Sequence, residues 1–160
     1  MKKSFDIELQ PNVLPWPPMI YAIAAVAAFG AAMVAPASFP PGPAVRAIGV
    51  AMLAIGAVLD LWAAATMWRS KTNIMPNRPA KALVSTGPFR LTRNPIYVGN
   101  TIAIAGFGGI FDNAWFVAAA LAAAIAVDRL AIAREELHLA KRFGADWREY
   151  ASRTPRWLGR

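Results

Sequence analysis

The chain has 160 residues, of which 57% are apolar, and it carries a formal net charge of +8. This apolar fraction, together with a mean hydropathy of +0.38, is too high for an ordinary water-soluble domain and predicts a membrane protein. Because the chain has no cysteine and one histidine, thiol chemistry is excluded and no metal site is expected. Most basic residues lie beside apolar segments, which is typical of contact with anionic membrane lipids and does not favour nucleic acid as a partner.

Four apolar segments follow a mixed polar lead-in of residues 1–15, which we interpret as interfacial. A helix needs about 20 residues to cross a hydrocarbon core of roughly 30 Å, and the segments approach or reach that length. Their predicted bounds are 16–35, 44–68, 96–111 and 114–133, with a helical tail over 134–160. The sequence therefore predicts one all-α, polytopic membrane domain over 1–160, whose last two spans form a helical hairpin.

The first span has an alternative interpretation. Lys2 and Lys3 precede it and Ala35-Pro36-Ala37 follows it, which also fits a cleaved signal peptide. The length of the apolar stretch favours an uncleaved span.

Basic residues are distributed unevenly among the predicted loops. The connection of residues 69–93 carries six of them and eight follow Leu121, whereas the turn at Asp112-Asn113 carries none. By the positive-inside rule, both termini and the long connection are predicted to be cytoplasmic, with the two tight turns on the opposite side. This topology favours a bacterial inner membrane.

The stretch from Thr86 to Gly99, TGPFRLTRNPIYVG, combines turn-forming, basic and aromatic residues. Asn94-Pro95 predicts a helix start, because proline in the first turn gives up an amide that has no partner in any case. The free amides at such a start favour an anionic or electron-rich ligand. A basic loop that holds the helix at the headgroup level is the alternative interpretation.

The cytoplasmic tail is predicted to continue the fourth span as a helix. Asp128, Glu135 and His138 are spaced to share one face, and Arg129 and Glu136 are predicted to form a parallel row. The alternative is a solvated helix whose charges only pair with one another.

Aromatic residues and one acidic residue add further candidates. Trp147, Tyr150 and Trp157 fit either interfacial anchors or the cap of a pocket. Asp60 lies inside the second span, where a carboxylate is costly and is expected to face the bundle interior.

Three motifs occur in a fixed order: Gly87-Pro-Phe-Arg-x-x-Arg-Asn-Pro-x-Tyr-x-Gly99, Glu135-Glu136-x-x-Leu139, and Phe143-Gly144-x-x-Trp147-x-x-Tyr150 with Pro155-Arg156-Trp157. Together they resemble the integral-membrane methyltransferases, which include the isoprenylcysteine carboxyl methyltransferases and the phospholipid N-methyltransferases. The resemblance covers about residues 72–158. It implies an S-adenosyl-L-methionine-dependent methyltransferase whose cofactor binds on the cytoplasmic side.

The resemblance also implies which residues bind the cofactor, and the residues around them supply the candidates for catalysis and substrate binding. The cofactor-binding positions are Lys81, Ala82, Leu83, Val84, Phe89, Asn94, Pro95, Ile96, Tyr97 and Glu135. The candidate catalytic residues are Glu135, Glu136 and Arg93, and the candidate substrate-binding residues are Arg129, Arg134 and Asp60.

This sequence departs from the family pattern at two positions. Asn94 stands where the family often has histidine and cannot titrate, which puts proton transfer there in doubt. Ala131 replaces a substrate-binding arginine of the carboxyl methyltransferases, which weakens the case for a prenylcysteine substrate.

Elementary chemistry assigns roles to several of these residues. Glu135 suits the ammonium group of the cofactor, whereas Arg93 and the free amides of Ile96 and Tyr97 suit its carboxylate. Methyl transfer depends mainly on placing a nucleophile in line within about 3–3.5 Å of the methyl carbon.

The methyl acceptor stays open between an amine, a carboxylate and a thiol. An amine needs a base, for which Glu136, Asp128 and His138 are the candidates, whereas a carboxylate or thiolate needs an arginine. We expect the acceptor to be a lipid or another lipophilic small molecule. The alternative is a non-enzymatic four-helix transporter or interaction protein, which Asp60 alone supports.

Overall fold

The computed structural model describes residues 16–40, 42–73 and 80–159. Within these residues the α-helices are Trp16–Val34 (α1), Pro43–Arg69 (α2), Pro95–Phe111 (α3), Trp115–Val127 (α4) and Ala133–Arg153 (α5). A short 3-10 helix covers Gly87–Arg90, and a π-helical stretch, Asp128–Ile132, joins α4 to α5. The lead-in with its signal-peptide alternative, and Arg78, fall outside the described residues. The predicted all-α membrane fold is confirmed, and the predicted span limits agree closely with the helices.

Three of the described helices are long and apolar enough to cross a membrane, namely Pro17–Val34, Pro43–Arg69 and the continuous Trp115–Arg153. The remaining apolar helix, α3, has 17 residues, which at 1.5 Å per residue extends about 25 Å. Large apolar side chains point outward along the bundle, for example Val26, Met33 and Leu61, each more than two-thirds exposed. Such an apolar exterior is expected of a surface in contact with lipid.

The two tight turns meet at one end of the bundle. The backbone amide of Phe39 donates to Asp112 Oδ1 at 2.9 Å, and the amide of Ala114 donates to the carbonyl of Ala37 at 2.7 Å. Asp112 itself ends α3 in a left-handed conformation with φ of 50°. Consequently the start of α1, the end of α2 and the start of α3 all lie at the other end.

The closest helix contact, between α2 and α3, depends on glycine. A Cβ atom on Gly49 would lie 2.6 Å from the carbonyl oxygen of Gly106, and one on Gly56 would lie 2.5 Å from that of Gly99. Gly49 and Gly56 are seven residues apart on α2, and so are Gly99 and Gly106 on α3. Each pair of glycines therefore shares one face of its helix. Without side chains at these crossings the two backbones can approach, which provides packing where lipid offers no hydrophobic drive for association.

α1 packs mainly against α4, and α3 lies between α4 and α2. Phe116, Val127, Ala131 and Ile132 are almost completely buried in this part of the core. The hydroxyl of Tyr21 donates to the carbonyl of Tyr97 at 2.9 Å, so that α1 is also fixed to the first turn of α3.

Candidate functional site

A cavity of about 320 Å³ lies at the end of the bundle opposite the tight turns. Its volume falls in the range of roughly 300–1,000 Å³ that is usual for small-molecule sites. The walls come from the start of α1, the end of α2, the connection before α3, the start of α3 and the first part of the tail helix. The lining residues are Pro17, Pro18, Met67, Thr72, Asn73, Ala80, Ala82, Leu83, Val84, Phe89, Arg93, Asn94, Pro95, Ile96, Tyr97, Asn100, Glu135, Glu136, His138, Leu139, Trp147 and Tyr150.

Glu135 is joined to the start of α3 by a hydrogen bond. The hydroxyl of Tyr97 donates to Glu135 Oε1 at 2.8 Å, and the Tyr97 side chain is 9% exposed. This bond connects residues 38 positions apart and brings the second motif against the first. Glu135 therefore presents a partly buried carboxylate to the cavity, which does not fit the alternative of a solvated helix.

Glu136 lies between two arginines. Arg93 Nη1 approaches Glu136 Oε1 at 3.3 Å, and the guanidinium of Arg156 donates from Nε and Nη2 to the two oxygens of the same carboxylate. The side chains of Arg93 and Glu136 are only 16% and 15% exposed, so solvent screens this pair less than it would a surface pair. The hydrogen bond with Glu136 is the largest cause that raises the pKa of Arg156 above its ordinary value.

Arg93 has further unused donor capacity at the cavity. Its guanidinium carbon lies 5.6 Å from the centre of the Trp147 ring, in a cation–π arrangement. Its Nε atom is buried and has no hydrogen-bond partner among the described residues. A buried donor of this kind is costly unless a ligand supplies an acceptor.

An aromatic wall is formed by Phe89, Trp147 and Tyr150, all at most 9% exposed. The hydroxyl of Tyr150 donates to the carbonyl of Phe89 at 2.8 Å, and burial raises the pKa of Tyr150 above its ordinary value, so the phenol keeps its proton. The tail helix can fold these aromatic residues inward because it is kinked at Gly144, where φ is +53°. The pocket interpretation therefore holds for Trp147 and Tyr150, and the interfacial one does not.

The start of α3 also faces the cavity through Asn94, Pro95, Ile96 and Tyr97. Asn94 does not cap the helix, because its Nδ2 atom instead donates to the carbonyl of Arg156 at 3.0 Å. No side chain among the described residues caps this end of α3. The partial positive charge of this helix start is therefore not offset by a capping side chain, and the predicted ligand at this position stays a prediction.

The family described as phospholipid methyltransferase matches residues 44–146. The chain belongs to this family. The match begins at α2 and ends one residue before Trp147, so it includes Arg93, Tyr97, Glu135 and Glu136. The predicted family resemblance is thus confirmed.

Two bacterial relatives are similar to this phospholipid methyltransferase family member. The nickel-cobalt-cadmium resistance protein NccN of Alcaligenes xylosoxydans xylosoxydans is 34% identical over 113 residues, which cover 71% of this chain and 47% of the relative. The cobalt-zinc-cadmium resistance protein CzcN of Cupriavidus metallidurans is 34% identical over 119 residues, covering 74% of this chain and 50% of the relative. The chain thus spans about half the length of the curated relatives it matches.

Most predicted site residues of this family member meet at the cavity. Those that line it are Ala82, Leu83, Val84, Phe89, Arg93, Asn94, Pro95, Ile96, Tyr97, Glu135 and Glu136. The side chains outside the lining are those of Lys81, Arg129, Arg134 and Asp60. Lys81, Arg129 and Arg134 are exposed, and Lys81 contributes a backbone amide that donates to Thr72 Oγ1 at 2.9 Å.

Asp60 lies at the contact between α2 and α3. Its carboxyl group packs against Gly99, where any Cβ atom would overlap Asp60 Oδ1. This oxygen is buried and lacks a hydrogen-bond partner among the described residues. The expectation that Asp60 faces the bundle interior is met, but the residue does not line the cavity.

The predicted helical face of Asp128 is wrong. Asp128 accepts hydrogen bonds from Trp157 Nε1 at 2.9 Å and from Arg156, which also binds Glu136. Asp128 therefore shares a cation with Glu136, and it does not line the cavity with Glu135 and His138. The cause is the π-helical stretch at Asp128–Ile132, whose wider turn shifts the helical register by about one residue.

Sequence reasoning gave no site role to several residues that contact the cavity or its charged groups. Asn100, Met67 and Leu139 line the cavity, and Arg156 pairs with Glu136. The sequence does contain an indication of a site role for Asn100, because it is a polar residue within an apolar span, one helical turn after Ile96. Arg156 belonged to a motif, but its partners are set by tertiary contacts.

Proposed function

We propose that this family member is an S-adenosylmethionine-dependent methyltransferase that acts on a lipophilic acceptor at the cytoplasmic face of the membrane. The observation that carries the proposal is one cavity with both kinds of charge, Glu135 and Arg93, beside an aromatic wall. S-Adenosylmethionine combines an amino-acid part with both charges and a flat adenine ring. The cavity chemistry corresponds to each of these parts.

The chain's own groups fit the cofactor by three separate features. Arg93 has a buried Nε donor in need of an acceptor, which suits a carboxylate. Glu135, already oriented by Tyr97, suits an ammonium group. Phe89, Trp147 and Tyr150 offer ring faces for the adenine.

When bound, the cofactor would supply an electrophilic methyl group on a sulfonium. The residues of the chain would bind and orient it and exclude water, which is where most of the rate of such a reaction originates. Glu136 is engaged by two guanidinium groups, so we assign it to holding Arg93 and not to accepting a proton. Among the candidate bases, His138 lines the cavity and Asp128 does not.

A lipophilic acceptor is favoured by the apolar side of the cavity. Pro17 and Pro18 at the start of α1 and Met67 near the end of α2 line it on the side of the membrane helices. An acceptor held in the bilayer would meet the cavity there, while a water-soluble cofactor enters from the opposite side. The acceptor group is a carboxylate, an amine or a thiol.

Isothermal titration calorimetry in detergent tests the proposal. We expect the protein to bind S-adenosylmethionine and its product S-adenosylhomocysteine, because the charged and aromatic groups recognise the part that both share. Arg153→Gln should bind both compounds like the wild type. Arg153 pairs with Glu149 on the surface, away from the cavity, and the two side chains are 71% and 68% exposed. Absence of binding by the wild-type protein contradicts the proposal and favours the transporter or interaction-protein alternative.

Metal resistance is a second candidate role, because both relatives carry that term in their names. We propose that the chain would contribute to metal resistance through methyl transfer to a lipophilic acceptor at the same cavity. Expressing the wild-type chain and Glu135→Gln in a metal-sensitive bacterial host tests this link. Equal protection against cobalt by both forms would separate metal resistance from the cavity.

A further inference from the structure

The segment after α5, residues 154–157, is joined to the connection before α3 by hydrogen bonds to its backbone carbonyls. The amide of Arg93 donates to the carbonyl of Pro155 at 2.9 Å. The carbonyl of Arg156 accepts from Thr92 Oγ1 at 2.8 Å and from Asn94 Nδ2 at 3.0 Å. Three consecutive residues of the connection thus bind a segment that lies more than 60 positions later in the chain.

The side chain of Arg156 makes a second set of contacts, with the helix that leaves the membrane. It donates to Glu136 through Nε and Nη2, and Nη1 lies 3.3 Å from Asp128 Oδ2. Trp157 reinforces this arrangement, since its Nε1 donates to Asp128 at 2.9 Å. One residue therefore joins the connection, through its carbonyl, to the helix that carries Glu136, through its guanidinium.

The charges form an alternating row from the protein surface to the cavity: Asp128, Arg156, Glu136 and Arg93. Arg156 keeps two carboxylates close together without net repulsion, and Glu136 in turn holds Arg93. Of these four residues Arg93 and Glu136 line the cavity, whereas Arg156 does not. A planar guanidinium with several fixed donors suits this bridging position better than a lysine ammonium.

We propose that Arg156 is a positioning residue, which acts through Glu136 to hold Arg93 in the cavity. The inference rests on the proposed function for its ligand, S-adenosylmethionine. The contact of Arg156 with the connection before α3, by contrast, can be tested on the protein without ligand. Removing the guanidinium would release Glu136 on one side and weaken the docking of residues 154–157.

The first measurement is hydrogen exchange of residues 92–94 in the full chain without ligand, reconstituted in lipid nanodiscs. We expect faster exchange of the Arg93 amide in Arg156→Gln, because its acceptor is the carbonyl of Pro155. Arg153→Gln, which removes a surface arginine at the end of α5, should exchange like the wild type. Unchanged exchange in Arg156→Gln would overturn the docking role.

The second measurement is the affinity for S-adenosylmethionine in a double-mutant cycle. Arg156→Gln should weaken binding about tenfold, the size typical of coupling within one ion-pair network, and Arg156→Lys should recover part of the loss. Because Arg156 acts through Glu136, its substitution should have little further effect in a Glu136→Gln background. An equal loss in both backgrounds would show that Arg156 acts on the fold in general, and would overturn the proposal.

Two further outcomes separate the inference from the proposed function. If the wild-type protein binds no S-adenosylmethionine, the proposed function fails, while the exchange measurement still decides whether Arg156 holds the connection. If Arg156→Gln does not fold, Asp128→Asn replaces it, since this change removes one of the two carboxylates that Arg156 bridges. It should then produce a smaller change in the same direction in both measurements, and no change would overturn the proposal.

Discussion

Adjacent glutamates on one helix have different surroundings in this protein. Glu135 accepts a hydrogen bond from a neutral phenol, that of Tyr97, whereas Glu136 is held by two cations, Arg93 and Arg156. The negative charge of Glu136 is balanced within the protein. Glu135, by contrast, lines the cavity beside the phenol that donates to it.

This difference predicts that the two glutamates respond differently to substitution by glutamine. Glu135→Gln keeps an oxygen that can accept from Tyr97, so the melting temperature without cofactor should change little. Loss of the charge should weaken S-adenosylmethionine binding by about 2–5 kcal/mol, by analogy with a desolvated charge pair that loses one partner. Calorimetry and thermal unfolding in the same detergent measure both quantities.

Glu136→Gln is the matched comparison for that prediction. It removes the anion shared by two arginines, which should lower the stability of the protein without cofactor by about 1–3 kcal/mol. If Glu136→Gln alone abolishes binding while Glu135→Gln binds normally, the roles of the two residues are reversed. If both variants bind and unfold like the wild type, neither glutamate contributes to cofactor binding.

Glycines at different places in the helices differ in how much space surrounds them. Gly56 on α2 faces the carbonyl of Gly99 on α3, whereas Gly30 on α1 has no heavy atom within 4 Å of the position of a Cβ. The crossing of α2 and α3 also determines where two α2 residues lie, namely Asp60 beside Gly99 and Met67 at the cavity. A change at this crossing should therefore affect the site as well as stability.

Gly56→Ala should force α2 and α3 apart and destabilise the protein by about 1–3 kcal/mol, the usual cost of overpacking. Gly30→Ala should instead be neutral or stabilising by about 0.5–1 kcal/mol, because alanine favours the helix and nothing obstructs its methyl group. Thermal unfolding in one detergent compares the two variants. A loss of stability in Gly30→Ala equal to that in Gly56→Ala would contradict the role assigned to the α2–α3 contact.

At the scale of the whole molecule, the two ends of the bundle differ in charge. The end with the tight turns, near Asp112, has few basic residues, and the end with the cavity has the basic connection and the tail. The cytoplasmic position of the cavity end follows from the positive-inside rule and stays a prediction.

The absence of cysteine from the sequence allows this orientation to be tested with single introduced thiols. Ser38→Cys, in the first tight turn, and Ser85→Cys, in the basic connection, both replace exposed residues with a side chain of similar size. A membrane-impermeant maleimide applied to intact spheroplasts should label position 38 and not position 85. Labelling of position 85 in intact spheroplasts would contradict the predicted topology and place the cavity on the other side of the membrane.

The sequence by itself determined the helices and their order, and its resemblance to the methyltransferase family indicated many of the residues that line the cavity. Length and hydrophobicity define a membrane span locally, and Pro95 marks a helix start. These features depend on neighbouring residues, so they can be read along the chain.

Only the tertiary structure decided which charged groups pair. Arg156 and Glu136 are 20 positions apart, and Tyr97 and Glu135 are 38 apart. The pairing of Arg156 with Glu136 depends on where the tail folds back after its kink at Gly144, whereas the Tyr97–Glu135 hydrogen bond depends on where α5 lies relative to the start of α3. The π-helical stretch moves Asp128 out of the face that α-helical spacing assigns to it. Ion pairing is set by distances between separate segments, and a one-residue change of register is enough to exchange one partner for another.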